Sequence, residues 1–300
     1  MQILLLGSNG QVGFELRRAL MPLGAVTAPS RASLNLADEG AVRALVRTLR
    51  PDAIVNAAAY TSVDRAESDR AAAFAVNAVA PRVLGEEAQR LGALVLHFST
   101  DYVFSGEQER PYTEDDPPEP CNVYGLSKLE GEQGLAAACQ RHLILRTGWV
   151  VGAHGGNFAK TMLRLARERQ DFGVVADQHG APTPAALLAD VSAHLLRRYW
   201  AGPDIALGTW HVAAGGVTTW YEYARFVLAA AEAAQWPLQA GPDAVRAIAT
   251  QDYPTPARRP RSSCLDTTRF CRTFGLRLPP WQEGVAQVLA QILEKDTWCK

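Results

Sequence analysis

The stretch that decides the fold is ILLLGSNGQVG, residues 3–13. Four apolar residues run straight into Gly7, and Gly10 and Gly13 follow at three-residue steps. Glycines in such a turn let backbone approach backbone. A helix starting there offers bare N–H groups and its positive dipole end to a pyrophosphate. Outward from this turn, β-rich apolar runs at 25–28, 53–57, 93–98 and 143–146 alternate with helical patterns at 11–20, 38–49, 71–91 and 124–139. Runs of about five apolar residues separated by helices mark βαβ units, whose parallel strands are buried on both faces. The reading is an α/β fold with a Rossmann-type doubly wound parallel sheet, with residues 1–150 forming a dinucleotide-binding domain. Ligands of such sheets sit beyond the carboxyl ends of the strands.

After residue 150 the pattern loosens. Helices are predicted at 157–169, 185–200 and 221–234, and a strand at 209–214 is expected to rejoin the first sheet. The segment 237–280, rich in Pro and Arg, shows little periodicity and reads as irregular chain. Residues 151–300 are therefore expected to form mainly a smaller, interleaved α/β domain for the substrate.

Composition narrows the function. With 48% apolar and 20% charged residues and a formal net charge of −1, the chain has no basic field to hold nucleic acid. It has neither a basic start followed by a long apolar region nor the roughly 20 apolar residues of a membrane span. A cytoplasmic protein is expected. The five cysteines, Cys121, Cys139, Cys264, Cys271 and Cys299, are odd in number and lack C-x-x-C spacing, which fits reduced thiols. The six histidines are scattered, so no metal site is expected.

An unphosphorylated ribose calls for an acid at the end of the second strand. No acid lies between Glu15 and Asp38; Ser30 and Arg31 stand there instead, a hydroxyl and a guanidinium suited to a 2′-phosphate. NADPH is the expected cofactor, with NADH the weaker candidate. In NVYGLSKLEGE, Tyr124 and Lys128 lie four apart and share a helix face. A phenol is a poor acid at neutral pH, and a nearby ammonium is expected to lower its pKa and make it a better proton donor to a developing alkoxide. Thr100, at the end of the fourth strand in FSTDYVFSG, places a hydroxyl beside the same crevice. His97 is expected to face the core with a hydrogen-bond partner, and Trp220 to serve packing.

The glycine turn, NAAAYTSVDRAE and the Y-x-x-x-K pair resemble the extended short-chain dehydrogenases/reductases. More narrowly, STDYVFSG, NVYGLSKLEGE, LRTGWVVG, GGNFAKTML, DQHGAPTP, TTWYEYA and YPTPARRPRSSCLD resemble the dTDP-4-dehydrorhamnose reductase family. The resemblance implies reduction of the 4-keto group of dTDP-6-deoxy-L-lyxo-4-hexulose to dTDP-L-rhamnose, with Tyr124 as proton donor and Lys128 on the nicotinamide ribose. It places Gln11 and Val12 in the phosphate loop and Ala58, Ala59 and Thr61 along the nicotinamide. On the substrate side it places Thr100, Asp101 and Trp149, with Asn157 and Arg258 or Arg259 near the diphosphate.

Two departures from the family stand out. Its frequent acid after the second strand is Ser30 here, in keeping with NADPH. Some members dimerise through Mg²⁺ held by glutamates; Glu15 fits one position, but the others are Ala186 and Gln291. Mg²⁺ wants oxygen ligands, so a monomer or a dimer that needs no metal is expected. Among rivals, a 4,6-dehydratase needs an Asp-Glu pair after the fourth strand, and here Tyr102 follows Asp101. Another nucleotide-sugar ketoreductase, an epimerase, or a nucleotide-binding regulatory subunit like that of methionine adenosyltransferase remain as alternatives. The last is opposed by Thr100, Tyr124 and Lys128 standing together.

Overall fold

In β1 (Gln2–Leu6), Ile3 and Leu5 enter one apolar layer while Leu4 and Leu6 enter the other, so the strand is buried on both faces. Full burial of one such side chain contributes about 1.5–3 kcal/mol. The structure is a computed structural model that describes residues 1–202 and 205–295. Four more strands of the same sheet follow: β2 (Ala25–Thr27), β3 (Ala53–Asn56), β4 (Leu94–Thr100) and β5 (His142–Thr147). After them come β6 (Val150–Val151), β7 (Phe172–Val175), β8 (His179–Gly180), β9 (Thr183–Pro184), β10 (Gly208–His211), β11 (Thr218–Thr219) and β12 (Val245–Ile248).

The main sheet has the order β10-β5-β4-β3-β1-β2, with every pairing parallel. From β1 the chain crosses to β2 on one side and returns to β3 on the other. That reversal opens a crevice at the carboxyl ends of β1 and β3. Helices Gln11–Leu20 and Ala185–Ala201 cover one face through Leu16, Leu20, Leu188 and Leu195. Helices Glu39–Leu49, Ala80–Leu91 and Val123–Ala138 cover the other through Val42, Val46, Leu84 and Leu135.

Side-chain caps set where helices begin. Asp38, Asn122, Asn157 and Thr219 each accept a backbone N–H from the first turn, a contact worth about 1 kcal/mol. The helix predicted at 71–91 is continuous but not uniform: Arg70–Phe74 passes through a π segment, Ala75–Val79, into Ala80–Leu91. Pro81 has no N–H to give the carbonyl four residues back, that of Asn77, and the ladder adjusts there.

Beyond residue 150 a second apolar cluster joins Met162, Leu163, Tyr223, Val227, Trp281 and Leu289, from helices Phe158–Glu168, Trp220–Ala233 and Trp281–Lys295. The last of these has no counterpart in the sequence reading. The segment 237–280 also differs from the irregular chain expected: β12 pairs in parallel with β7, and Thr268–Phe274 is helical. Both elements are short, and β12 exposes Arg246 and Ala247, so no apolar run announces it. No helix among the described residues is long and apolar enough to cross a membrane. Cys121, Cys139, Cys264 and Cys271 are free thiols; Cys299 lies outside the described residues.

Candidate active site

A cleft of about 560 Å³ follows the crevice at the strand ends. Its floor is the turn after β1, with Gly7, Gly10, Gln11 and Val12 along the wall. Gly7 has φ +80°, and a Cβ on Gly13 would stand 2.0 Å from the Gly7 carbonyl oxygen. Gly13 therefore packs the helix onto the turn and does not reach the cleft, whereas the other predicted glycines do. At one end lie Ser30 and Arg31; along the middle lie Ala58, Ala59 and Thr61; Tyr124 and Lys128 close the far end. Ser99 and Thr147 line it too, and their buried hydroxyl oxygens have no partner in the protein. A glycine cradle, a cationic end and orphaned hydroxyls fit a phosphorylated dinucleotide.

Helix Val123–Ala138, which carries Tyr124 and Lys128, is held in place by several side-chain contacts. Asn122 caps it by accepting Gly125 N–H at 2.8 Å, and its Nδ2 donates to the Arg258 carbonyl at 2.8 Å. Ser127 Oγ donates to the Tyr124 carbonyl at 2.7 Å and receives Asn77 Nδ2 at 3.0 Å. Asn77 also clamps Tyr60, accepting its N–H at 2.8 Å and donating to its carbonyl at 3.1 Å. One buried amide in the π segment thus ties the wall at 57–61 to the helix of Tyr124. Sequence reading did not single out Asn77; its one signal is a lone amide inside an alanine-rich helix.

Lys128 is 1% exposed and donates to the Phe98 carbonyl at 2.7 Å, with His97 Nε2 at 3.3 Å. Burial lowers its pKa to about 8, against an opposing pull from Glu132. Tyr124 is pushed well above the usual phenol range by burial; a hydrogen bond with Thr100 lowers it, while Asp101 and Tyr102 raise it. The Lys128 Nζ, for its part, is engaged by β4 through the Phe98 carbonyl. The ammonium-tuned phenol expected from the spacing is therefore not the arrangement of this structure, and burial is the reason. Asp101 is pushed up to about 6 by burial, held back by the neighbouring hydroxyls of Ser263 and Thr100.

The remaining predicted residues divide. Thr100 ends β4 and donates Oγ1–H to Asp101 Oδ1 at 3.0 Å, next to the cleft but not lining it. Asp101 and Trp149 line a second cavity of about 290 Å³. Trp149 has φ +50° and stacks on Trp220 at 3.4 Å between ring centroids, with its Nε1 donating to Ser263 Oγ at 3.2 Å. Asn157 lines neither cavity. It caps its helix, and its Nδ2 donates to Gln11 Oε1 at 3.0 Å and the Gly152 carbonyl at 2.7 Å, which makes it a brace for the phosphate loop. Arg258 is exposed, paired with Glu107, and stands away from both cavities. Arg259 donates to Asp64 at 2.7 Å and to the Tyr102 hydroxyl at 3.4 Å, and Tyr102 meets Tyr124 edge-on at 5.9 Å. Of the two arginines, only Arg259 is coupled to the tyrosine cluster.

The family model described as RmlD substrate binding domain matches residues 1–294. The chain is 48% identical over 296 residues to a dTDP-4-dehydrorhamnose reductase of Escherichia coli strain K12, covering 97% of this chain and 98% of that relative. It is similar in structure to the dTDP-4-dehydrorhamnose reductase of Clostridium acetobutylicum, with a TM-score of 0.89, 32% identity, and coverage of 97% of this chain and 99% of that one. The Bacillus anthracis enzyme of the same name, solved in complex with NADP, gives a TM-score of 0.88 at 33% identity over 97% of this chain and 99% of that one. A match running from residue 1 to residue 294, with a relative aligned over nearly its whole length, makes this chain a member of the RmlD substrate binding domain family, that of the dTDP-4-dehydrorhamnose reductases.

Proposed function

We propose that this protein reduces the C4 ketone of dTDP-6-deoxy-L-lyxo-4-hexulose to give dTDP-L-rhamnose, with NADPH as cofactor. The observation that carries the reading is the pairing of whole-length similarity to dTDP-4-dehydrorhamnose reductases with Tyr124 and Lys128 at the end of a glycine-floored cleft. Bound there, NADPH supplies the hydride to C4. Gly7, Gly10 and the start of helix Gln11–Leu20 would hold the pyrophosphate, Ser30 and Arg31 the 2′-phosphate, and Lys128 the nicotinamide ribose.

Tyr124 gives the proton. Its pKa, raised by burial, keeps the phenol protonated until the ketone oxygen becomes an alkoxide. An alkoxide is much the stronger base, so the proton then moves downhill. Thr100 stands beside the phenol, and Asp101 fixes Thr100 by accepting its Oγ1–H. Trp149, held rigid against Trp220, and Asp101 form the sugar side, with Arg259 near the diphosphate. In this reading residues 1–150 carry the cofactor and much of the remainder carries the nucleotide-sugar. The test is to supply the purified protein with the ketosugar and NADPH and identify the product. Accumulation of dTDP-L-rhamnose is expected; no reduction, or a different 6-deoxyhexose, would overturn the assignment.

A further inference from the structure

A chain of buried groups runs from the wall of the cleft to Lys128, and its hydrogen-bond directions can be assigned from one end. The Ala58 N–H donates to Asn56 Oδ1 at 3.1 Å, which fixes the orientation of the Asn56 amide. Asn56 Nδ2 therefore faces His97 Nδ1, at 3.1 Å, as a donor. Nδ1 has to accept, so the single proton of the neutral ring sits on Nε2. Burial in this fully enclosed site holds His97 neutral. The Nε2–H then points at Lys128 Nζ, 3.3 Å away.

An ammonium carries only donors. Facing Nε2–H it would place two donors head to head inside a site where His97 is 0% and Asn56 1% exposed. A neutral amine resolves the conflict: its lone pair accepts Nε2–H while one of its own N–H bonds donates to the Phe98 carbonyl at 2.7 Å. The opposite assignment needs Nδ1–H and a reversed Asn56 amide. That would turn Nδ2 toward the Ala58 N–H and leave buried donors facing one another without acceptors.

We propose that His97 is a positioning residue that holds Lys128 as a neutral amine in the free protein, so that cofactor binding draws one proton from solvent onto Nζ as Lys128 turns to the ribose. This rests on the cofactor reading above. The proton adds to the Nζ lone pair as the hydrogen bond from His97 breaks, and Nζ then donates to ribose hydroxyls. Burial already lowers Lys128 to about 8, and a hydrogen bond donated by His97 favours the amine further. The other titratable or charged groups around Lys128 are Tyr124 and Glu132 on its own helix and, beyond Glu132, Arg146 on β5, which holds that carboxylate at 2.6 Å. The ammonium is thus created only in the loaded protein, where it stands one helical turn from Tyr124.

Two measurements test this. In free protein labelled with ¹⁵N-histidine, the His97 resonances should be pyridine-type at Nδ1 and pyrrole-type at Nε2; a protonated Nδ1 overturns the proposal. Calorimetric titration with NADPH, without sugar, is run at about pH 9 in buffers of different ionisation enthalpy, where a 2′-phosphate no longer titrates. Uptake of about one proton per cofactor is expected in the native protein and its loss in Lys128→Met. Tight binding with no uptake, or uptake unchanged in Lys128→Met, overturns the proposal while the cofactor reading stands. Failure to bind NADPH counts against the cofactor reading instead, and the tautomer still decides the role of His97.

Discussion

Tyr124 and Lys128 share a helix face, yet their surroundings differ. The phenol lies among Thr100, Asp101 and Tyr102, and burial raises its pKa; the amine lies against β4, and burial lowers its own. Both shifts favour the uncharged form, as burial does wherever no partner supplies an opposite charge. Replacing Tyr124 with Phe removes one hydroxyl and leaves the ring against Tyr102. Turnover should fall by roughly 10²-fold or more while NADPH affinity is kept; an unaffected rate would reject Tyr124 as the acid. The spacing of Tyr124 and Lys128 was legible in the sequence, and so was a buried, hydrogen-bonded His97. That His97 bonds Lys128 was not, because the contact joins β4 to a helix some thirty positions on, and only the sheet's twist and the helix docking bring them together.

At the scale of the element, the π segment Ala75–Val79 does what a regular helix would not. It sets Asn77 so that one amide serves Tyr60 on the cleft wall and Ser127 on the helix of Tyr124. Asn77→Ala would leave the Tyr60 N–H and carbonyl unpaired in a largely buried site. It should lower unfolding free energy by about 1–3 kcal/mol, read as a lower urea midpoint; an unchanged midpoint would show that the clamp is replaceable. The helix itself was readable from its 3.6-residue periodicity. The π segment was not, since one proline and one asparagine in an alanine-rich run do not by themselves announce a change of hydrogen-bond register. Helix starts were readable to about one residue because Asp38, Asn122 and Asn157 are strong caps. For Asn157 the capping chemistry also explains its separation from the cavity at Asp101: its amide is engaged with its own helix and with Gln11.

At the scale of the molecule, the reversal of strand order around β1 creates the crevice, and the first thirteen residues announce it. Long strands buried on both faces leave continuous apolar runs, so the sheet was legible nearly strand by strand. The stretch 209–214 was read as a strand that rejoins the first sheet, and β10 there pairs with β5, a neighbour the sequence did not specify. The later half hid its small sheets, because pairs such as β6–β9 and β8–β11 have two residues per strand and carry no periodicity. It is this half that brings Trp149, Ser263 and Asp266 around Asp101. The proposed function divides the work between a cofactor cleft that reaches Tyr124 and a sugar cavity lined by Asp101 and Trp149. Its most direct test is turnover with NADPH deuterated at the transferable position of C4 of the nicotinamide. One NADPH should be oxidised per sugar, with deuterium at C4 of the dTDP-L-rhamnose formed. Label at another carbon, or conversion of the sugar with no net NADPH consumption, would contradict it.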